Sequence, residues 1–123
     1  MAFVTDRKRA AGLGSTKSGT EQHWHMQVTS VILLVLVPLF LIAFGPVVGE
    51  DFAAVQAQFA RPFPALVTAA MLVVGLNHFR HGVQVLIEDY AQGTTRHVLI
   101  IAMIAVSYGA MLTGLYALAR MAL

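Results

Sequence analysis

The stretch GLNHFRHGVQVLIEDY, Gly75 to Tyr90, sets Asn77, His78, Arg80, His81 and Gln84 into the end of an otherwise apolar run. Two kinds of chemistry suit these residue types. An imidazole can serve as an axial ligand to a metalloporphyrin. The Asp89–Tyr90 pair offers a phenol O–H that donates to a carbonyl oxygen and a carboxylate that orients it or takes part in proton transfer. If the run is helical, Gly82 lies about 40° and Asp89 about 20° from His78 around the axis, whereas Arg80 lies nearly opposite, at about 200°. His78, Gly82 and Asp89 therefore share a stripe. A glycine one turn beyond a histidine lets a flat porphyrin approach the backbone where a side chain would block it.

The same residues have blander readings. A lone histidine in a membrane helix can be a hydrogen-bonded packing residue, and a Tyr beside an Asp at a helix end can be a belt tyrosine with a surface carboxylate. A low-spin b-type haem needs an imidazole on each face. His81 sits about one turn from His78 and cannot straddle the iron, while His23, His25 and His97 fall at the edge of the apolar stretches. Either the second ligand comes from another polypeptide or no haem binds. Arg80 has three candidate roles: snorkelling to the cytoplasmic side, pairing with Glu88, or reaching a haem propionate. The role of His81 is left open.

These residues must be positioned by membrane helices. The chain has 123 residues, 58% hydrophobic and 11% charged, against about 25% charged in a soluble domain. Three apolar stretches, 28–48, 64–87 and 98–119, approach the roughly 20 residues that cross a ~30 Å hydrocarbon core. The expected fold is all-α, one membrane-anchor domain over 1–123 with three transmembrane helices and a tail and interfacial segment over 1–27. No extramembrane domain remains for a flavin, a nucleotide or an iron–sulfur cluster. Without cysteine there is also no disulfide, thiolate zinc site or cluster. In the second stretch the clean run Ala65 to Leu76 reaches only about 18 Å, so the polar residues after it must lie within the membrane. With Asp89 and Tyr90 at the cytoplasmic boundary, His78 is roughly 16 Å deep, where ionisable residues are costly and face protein, cofactor or water.

Orientation follows from the basic residues. Arg7, Lys8, Arg9, Lys17 and Arg96 fall on one side, Arg61 and Arg120 on the other, so the N-terminus and the loop carrying Arg96 are expected in the cytoplasm. The basic cluster is followed by Gly, Ser and Thr, unlike a signal peptide. No basic stripe with interleaved aromatics suggests nucleic acid.

Residues 1–20 are expected to be a loosely ordered tail. Trp24, between His23 and His25, fits an interfacial anchor or the lining of a quinone entrance. Pro38 interrupts the first helix and predicts a modest kink. Thr29 and Ser30 are expected to bond their own backbone or face a ligand. Gly45, Pro46 and Gly49 end this helix. Phe52, Val55 and Phe59 predict a short amphipathic helix on the outer surface, and Pro62 and Pro64 start the second span. In the third, Ala102, Ala105, Ser107, Gly109, Thr113 and Gly114 predict close helix packing, with Tyr108 and Tyr116 as packing or belt residues.

Three apolar helices, the second ending in His78-x-x-x-Gly82, Gln84-Val85 and Asp89-Tyr90, resemble the hydrophobic, cytochrome b-type membrane anchors of succinate:quinone oxidoreductase (succinate dehydrogenase, respiratory complex II). The N-terminal GLGSTKSGTEQHWHMQVTS looks like the alphaproteobacterial branch, whose anchors begin with Gly-Ser-x-x-x-Gly-Thr and a His-Trp pair. The resemblance covers nearly the whole chain. It implies that His78 is the axial ligand of haem b and its iron, that Gly82 packs against the haem, and that Tyr90, with Asp89 beside it, donates to ubiquinone. It also implies half of a haem-binding bundle completed by a second, cytochrome b-type anchor, which carries the other ligand. Partner iron–sulfur and flavoprotein subunits dock on the cytoplasmic face of a bacterial inner membrane. In such a complex this chain passes electrons from succinate to quinone in the respiratory chain and tricarboxylic acid cycle, without carrying the succinate-oxidising site. A quinol:fumarate reductase anchor and a structural or assembly protein without haem are the competing readings. One departure stands out: Val28 occupies the place where many members have an Arg after the glutamine.

Overall fold

A computed structural model describes residues 4–12, 14 and 18–123, and within them every regular element is helical. A short helix α1 (Asp6–Ala11) is capped by Thr5, whose hydroxyl accepts from the Lys8 amide at 3.3 Å. It stops at Gly12, whose φ of 56° is costly for a residue with a Cβ. The long α2 (Gly19–Phe44) runs through Pro38 and closes in a 3₁₀ turn over Gly45–Val47. α3 (Phe52–Phe59) is capped by the Asp51 carboxylate on the Ala54 amide at 2.8 Å. α4 (Pro62–Tyr90) begins with a proline in its first turn, where the missing N–H has no intrahelical partner to lose. A tight connection leads into α5 (Gly93–Ala122).

Gly19–Val47, Pro62–Tyr90 and Gly93–Ala122 are long and apolar enough to cross a membrane. At 1.5 Å per residue α4 is about 43 Å long, more than the hydrocarbon thickness, so its ends reach the headgroups or it tilts. His78 falls near its middle.

Each span is longer than its apolar stretch. α2 starts more than two turns before Val28, so Gln22 to Gln27 are helical; α1 and the first turns of α2 occupy part of what was expected to be a loose tail, while Lys17 lies outside the described residues. Arg96 and His97, expected in a loop, belong to the first turns of α5. The extension of α2 has a physical cause. Gln22, Met26, Thr29, Leu33, Leu36, Phe40, Ala43 and Val47 alternate steps of four and three, and all are buried or half-buried. That is a heptad seam, and it runs without a break through the polar segment EQHWHMQ.

α4 answers with Pro64, Val67, Met71, Val74, His78 and His81 at the same alternation. The two helices pack antiparallel, and α4 also packs along α5, whereas α2 and α5 are not neighbours. The three spans thus form a layer with α4 in the middle. Leu36, Ala43 and Val67 centre one apolar cluster and Val47, Phe59 and Leu118 another, both toward the α4 N-terminus. The C-terminal half of α4 meets its neighbours through polar side chains instead. Large apolar side chains such as Leu34, Leu66, Val106 and Leu112 stay exposed, as befits surfaces facing lipid or a companion subunit.

α3 is a helix, as the spacing of Phe52, Val55 and Phe59 predicts; Phe59 is 2% exposed under the bundle while Phe52 is 73% exposed, and Gln58 donates to the Ala43 carbonyl at 2.9 Å. On α5, Ser107 is buried and Gly114 half-buried, but Ala102, Ala105, Gly109 and Thr113 face outward. Gly114 is where contact is closest, since a Cβ there would stand 3.0 Å from a Leu72 methyl.

Candidate functional site

The half of the α2–α4 seam nearest the α2 N-terminus and the α4 C-terminus carries a connected set of polar side chains. Thr29, 6% exposed, stands on α2 opposite His78, and its Oγ1 is 2.8 Å from His78 Nδ1. The same oxygen is 2.9 Å from the His25 carbonyl and 3.1 Å from the Met26 carbonyl. With two backbone carbonyls at hydrogen-bond distance, donation of the hydroxyl proton to the helix leaves its oxygen able to accept from His78 Nδ1–H. The bond to its own backbone is the first of the two roles foreseen for this hydroxyl, and the contact with His78 comes in addition. In that arrangement His78 carries its proton on Nδ1, and its Nε2 has no hydrogen-bond partner among the described residues.

The other two histidines of the set are differently placed. Asn77 Nδ2 is 3.0 Å from His25 Nε2, and Arg80 Nη2 donates to Asn77 Oδ1 at 3.3 Å, which fixes the amide's orientation with nitrogen toward His25. Arg80 Nη2 is also 3.2 Å from His81 Nε2, and a guanidinium can only donate. His81 Nδ1–H then donates to the Asn77 carbonyl at 2.8 Å. The His25 and His81 rings are 4.7 Å apart. Both have their Nε2 lone pairs engaged, so His78 is the member of the trio with an imidazole nitrogen free to bind a metal. His25 is drawn against α4 through Asn77 and the His81 ring. The heptad phase of Met26 and Thr29 was the sequence signal for that.

Arg80 does not pair with Glu88, which lies 3.7 Å from Arg96 and accepts from Gln84 at 3.0 Å. Its guanidinium carbon sits 5.6 Å from the centre of the Tyr108 ring on α5, and its buried Nε has no hydrogen-bond partner among the described residues. Among the described residues no carboxylate comes within ion-pair distance of this cation. The α4 side chains lean toward the helix N-terminus, which carries Arg80 back toward Asn77 rather than toward the Tyr90 end.

Gly82 lies one turn past His78 at an open position; a Cβ there would come no nearer than 4.0 Å, to Met26 Cε. Asp89 and Tyr90 are exposed, Tyr90 at 84%. Tyr90 lines a shallow groove of ≈ 650 Å³ with Leu86, Ile87, Ala91, Gln92, Thr95 and Leu99. Asp89 does not line it, so the neighbours gathered around the phenol are Gln92 and Thr95. About 18 Å of helix separates Tyr90 from His78. Trp24 is 66% exposed beside a second, mainly apolar groove that includes His23, Gln27 and Ser30.

Among the described residues no group of three His, Cys, Asp or Glu side chains could enclose a metal ion. A single axial imidazole does not require one.

Residues 1–111 match the family described as succinate dehydrogenase/fumarate reductase transmembrane subunit. The chain is 45% identical over its full length, and over 95% of the relative's, to a succinate dehydrogenase hydrophobic membrane anchor subunit from Paracoccus denitrificans. It is 34% identical to a protein of the same name from Rickettsia bellii, over 81% of each chain. A Rickettsia conorii relative of that name is 31% identical over 80% of each. No solved structure matches the chain significantly.

Proposed function

The chain belongs to the succinate dehydrogenase/fumarate reductase transmembrane subunit family, and on that basis we propose that it anchors a succinate:ubiquinone oxidoreductase in a bacterial inner membrane. In this reading it holds one face of haem b, contributes to a ubiquinone site, and pairs with a second anchor subunit. Iron–sulfur and flavoprotein subunits dock at the end bearing Arg7, Lys8, Arg9 and Arg96, which is cytoplasmic by the excess of positive charge. Succinate oxidation belongs to those partners.

The free Nε2 of His78 carries the haem reading. Its lone pair is unspent while those of His25 and His81 are engaged, and an axial ligand needs that lone pair. Open space at Gly82 suits a flat macrocycle beside the helix. Arg80 brings a positive charge with a spare buried N–H, suited to a propionate. Haem bound here supplies a one-electron store beside the path to quinone. Exposed apolar faces on the three spans would leave room for the second anchor subunit, which would complete the haem site begun by His78.

At the other end, the Tyr90 phenol lines a surface groove, from which its O–H would donate to a quinone carbonyl oxygen and polarise it for reduction. Asp89, exposed one residue earlier, is placed to relay protons from the aqueous edge. Purification of the assembly through this chain tests the proposal. Co-purifying flavin and iron–sulfur subunits, a b-type band in the dithionite-reduced minus oxidised spectrum, and succinate-driven ubiquinone reduction are expected. Absence of the band ends the haem claim, and turnover measured in both directions separates this enzyme from a quinol:fumarate reductase.

A further inference from the structure

We infer that Thr29 is a positioning residue for the axial ligand, holding His78 in the tautomer that binds iron and setting the electron density it delivers. The inference rests on the haem reading of His78 and deepens it. Thr29 occupies a core place of the α2 seam, between Met26 and Leu33, where an aliphatic side chain would pack as well. A buried hydroxyl is costly unless bonded. Here it is bonded on both sides: it donates to the carbonyl of its own helix and accepts from Nδ1–H of a residue 49 positions away. The carbonyls at 2.9 and 3.1 Å leave the hydroxyl oxygen the acceptor toward the ring.

An imidazole whose N–H is held by an acceptor is a more basic ligand with a fixed ring orientation, and such partners tune the bound metal. The extra density favours the ferric state. Thr29 thus keeps the haem potential lower than an unsupported histidine would. With its proton engaged by the helix carbonyls, it also favours the Nδ1–H tautomer, which leaves Nε2 able to ligate.

The test uses the assembled, haem-loaded complex with Thr29→Val, which keeps the shape and removes the hydroxyl, and Thr29→Ser, which restores it. Midpoint potential and the low-temperature electron paramagnetic resonance of the ferric haem are read at measured haem content. Expected are an upward shift of potential and an altered resonance in Thr29→Val, with both returning toward the parent in Thr29→Ser. Loss of haem in Thr29→Val alone also supports the inference, since ligation then depends on the hydroxyl. A parent-like potential and resonance in Thr29→Val at full haem content overturn it, as does equal haem loss in both variants. If Thr29→Val does not assemble, Thr29→Ala is judged by the same criteria. A parent complex without b-type absorbance would instead defeat the underlying haem reading, whereas haem lost in His78→Ala but unaltered in Thr29→Val would leave that reading standing and remove only this one.

Discussion

Arg80 of α4 lies with its guanidinium carbon 5.6 Å from the ring centre of Tyr108 on α5. A cation over an aromatic face, away from bulk water, is worth about 0.5–2 kcal/mol. The contact ties the polar half of α4 to α5 as the Thr29–His78 hydrogen bond ties it to α2. The middle helix is thereby held on both sides at the level where apolar packing gives out. Tyr108→Phe keeps the ring and should leave thermal stability of the purified complex unchanged, whereas Tyr108→Leu should lose about 0.5–2 kcal/mol. Equal stability of the two would mean the geometry carries no energy.

The three histidines of the seam should respond differently to truncation. His78→Ala is expected to abolish the b-type absorbance, while His25→Ala and His81→Ala retain it, because their Nε2 lone pairs are already engaged by Asn77 and Arg80. His81→Ala should lose about 1–3 kcal/mol of stability from the part-buried partners left unpaired, and His25→Ala, whose bond to Asn77 is exposed, should lose less. Reduced minus oxidised spectra normalised to flavin decide the matter.

Gly82 separates helix stability from space for a cofactor. An alanine Cβ would meet Met26 at an ordinary 4.0 Å, and replacing a helical glycine gains up to about 1 kcal/mol. Gly82→Leu should therefore assemble normally yet contain little haem. Full haem occupancy in that variant would remove Gly82 from the site.

Tyr90→Phe deletes a phenol that is 84% exposed, so folding and haem content should not change. Loss of one hydrogen bond of about 1 kcal/mol predicts a roughly five- to tenfold slower quinone reduction. Steady-state assays with succinate and a soluble ubiquinone measure it, with the spectrum as control.

Gly114 tests the α4–α5 contact. A Cβ there stands 3.0 and 3.2 Å from the two Leu72 methyls, so Gly114→Val should destabilise the bundle by about 1–3 kcal/mol through overpacking. Leu72→Ala in the same chain should recover part of the loss.

How much of this could be read beforehand differs from residue to residue. Composition and run length locate three spans because hydrocarbon tolerates few other compositions, and Pro62, Gly45 and Gly49 mark their ends by ordinary backbone rules. His78 and Gly82 stand out through spacing on one helix. The neighbours of His78 do not, since Thr29 lies 49 residues away and pairing across that distance depends on the register between helices. His25 is overlooked for a related reason: EQHWHMQ is too polar to look like a membrane helix, although the seam through Gln22, Met26 and Thr29 passes straight through it. Arg80 illustrates the limit of an angular argument. Its place opposite His78 is a property of α4 alone, but whether it meets Glu88, water or Tyr108 depends on where α5 lies.

Local periodicity and transfer between water and lipid are enough to make this a three-helix membrane chain. They also say which end of it bears the positive charge, and which imidazole and phenol lie on its middle helix. Neither can say which histidine keeps a free nitrogen, because that depends on three hydrogen bonds: Thr29 to His78, Asn77 to His25, and Arg80 to His81. Two of them cross between α2 and α4 and exist only once the helices have settled into register.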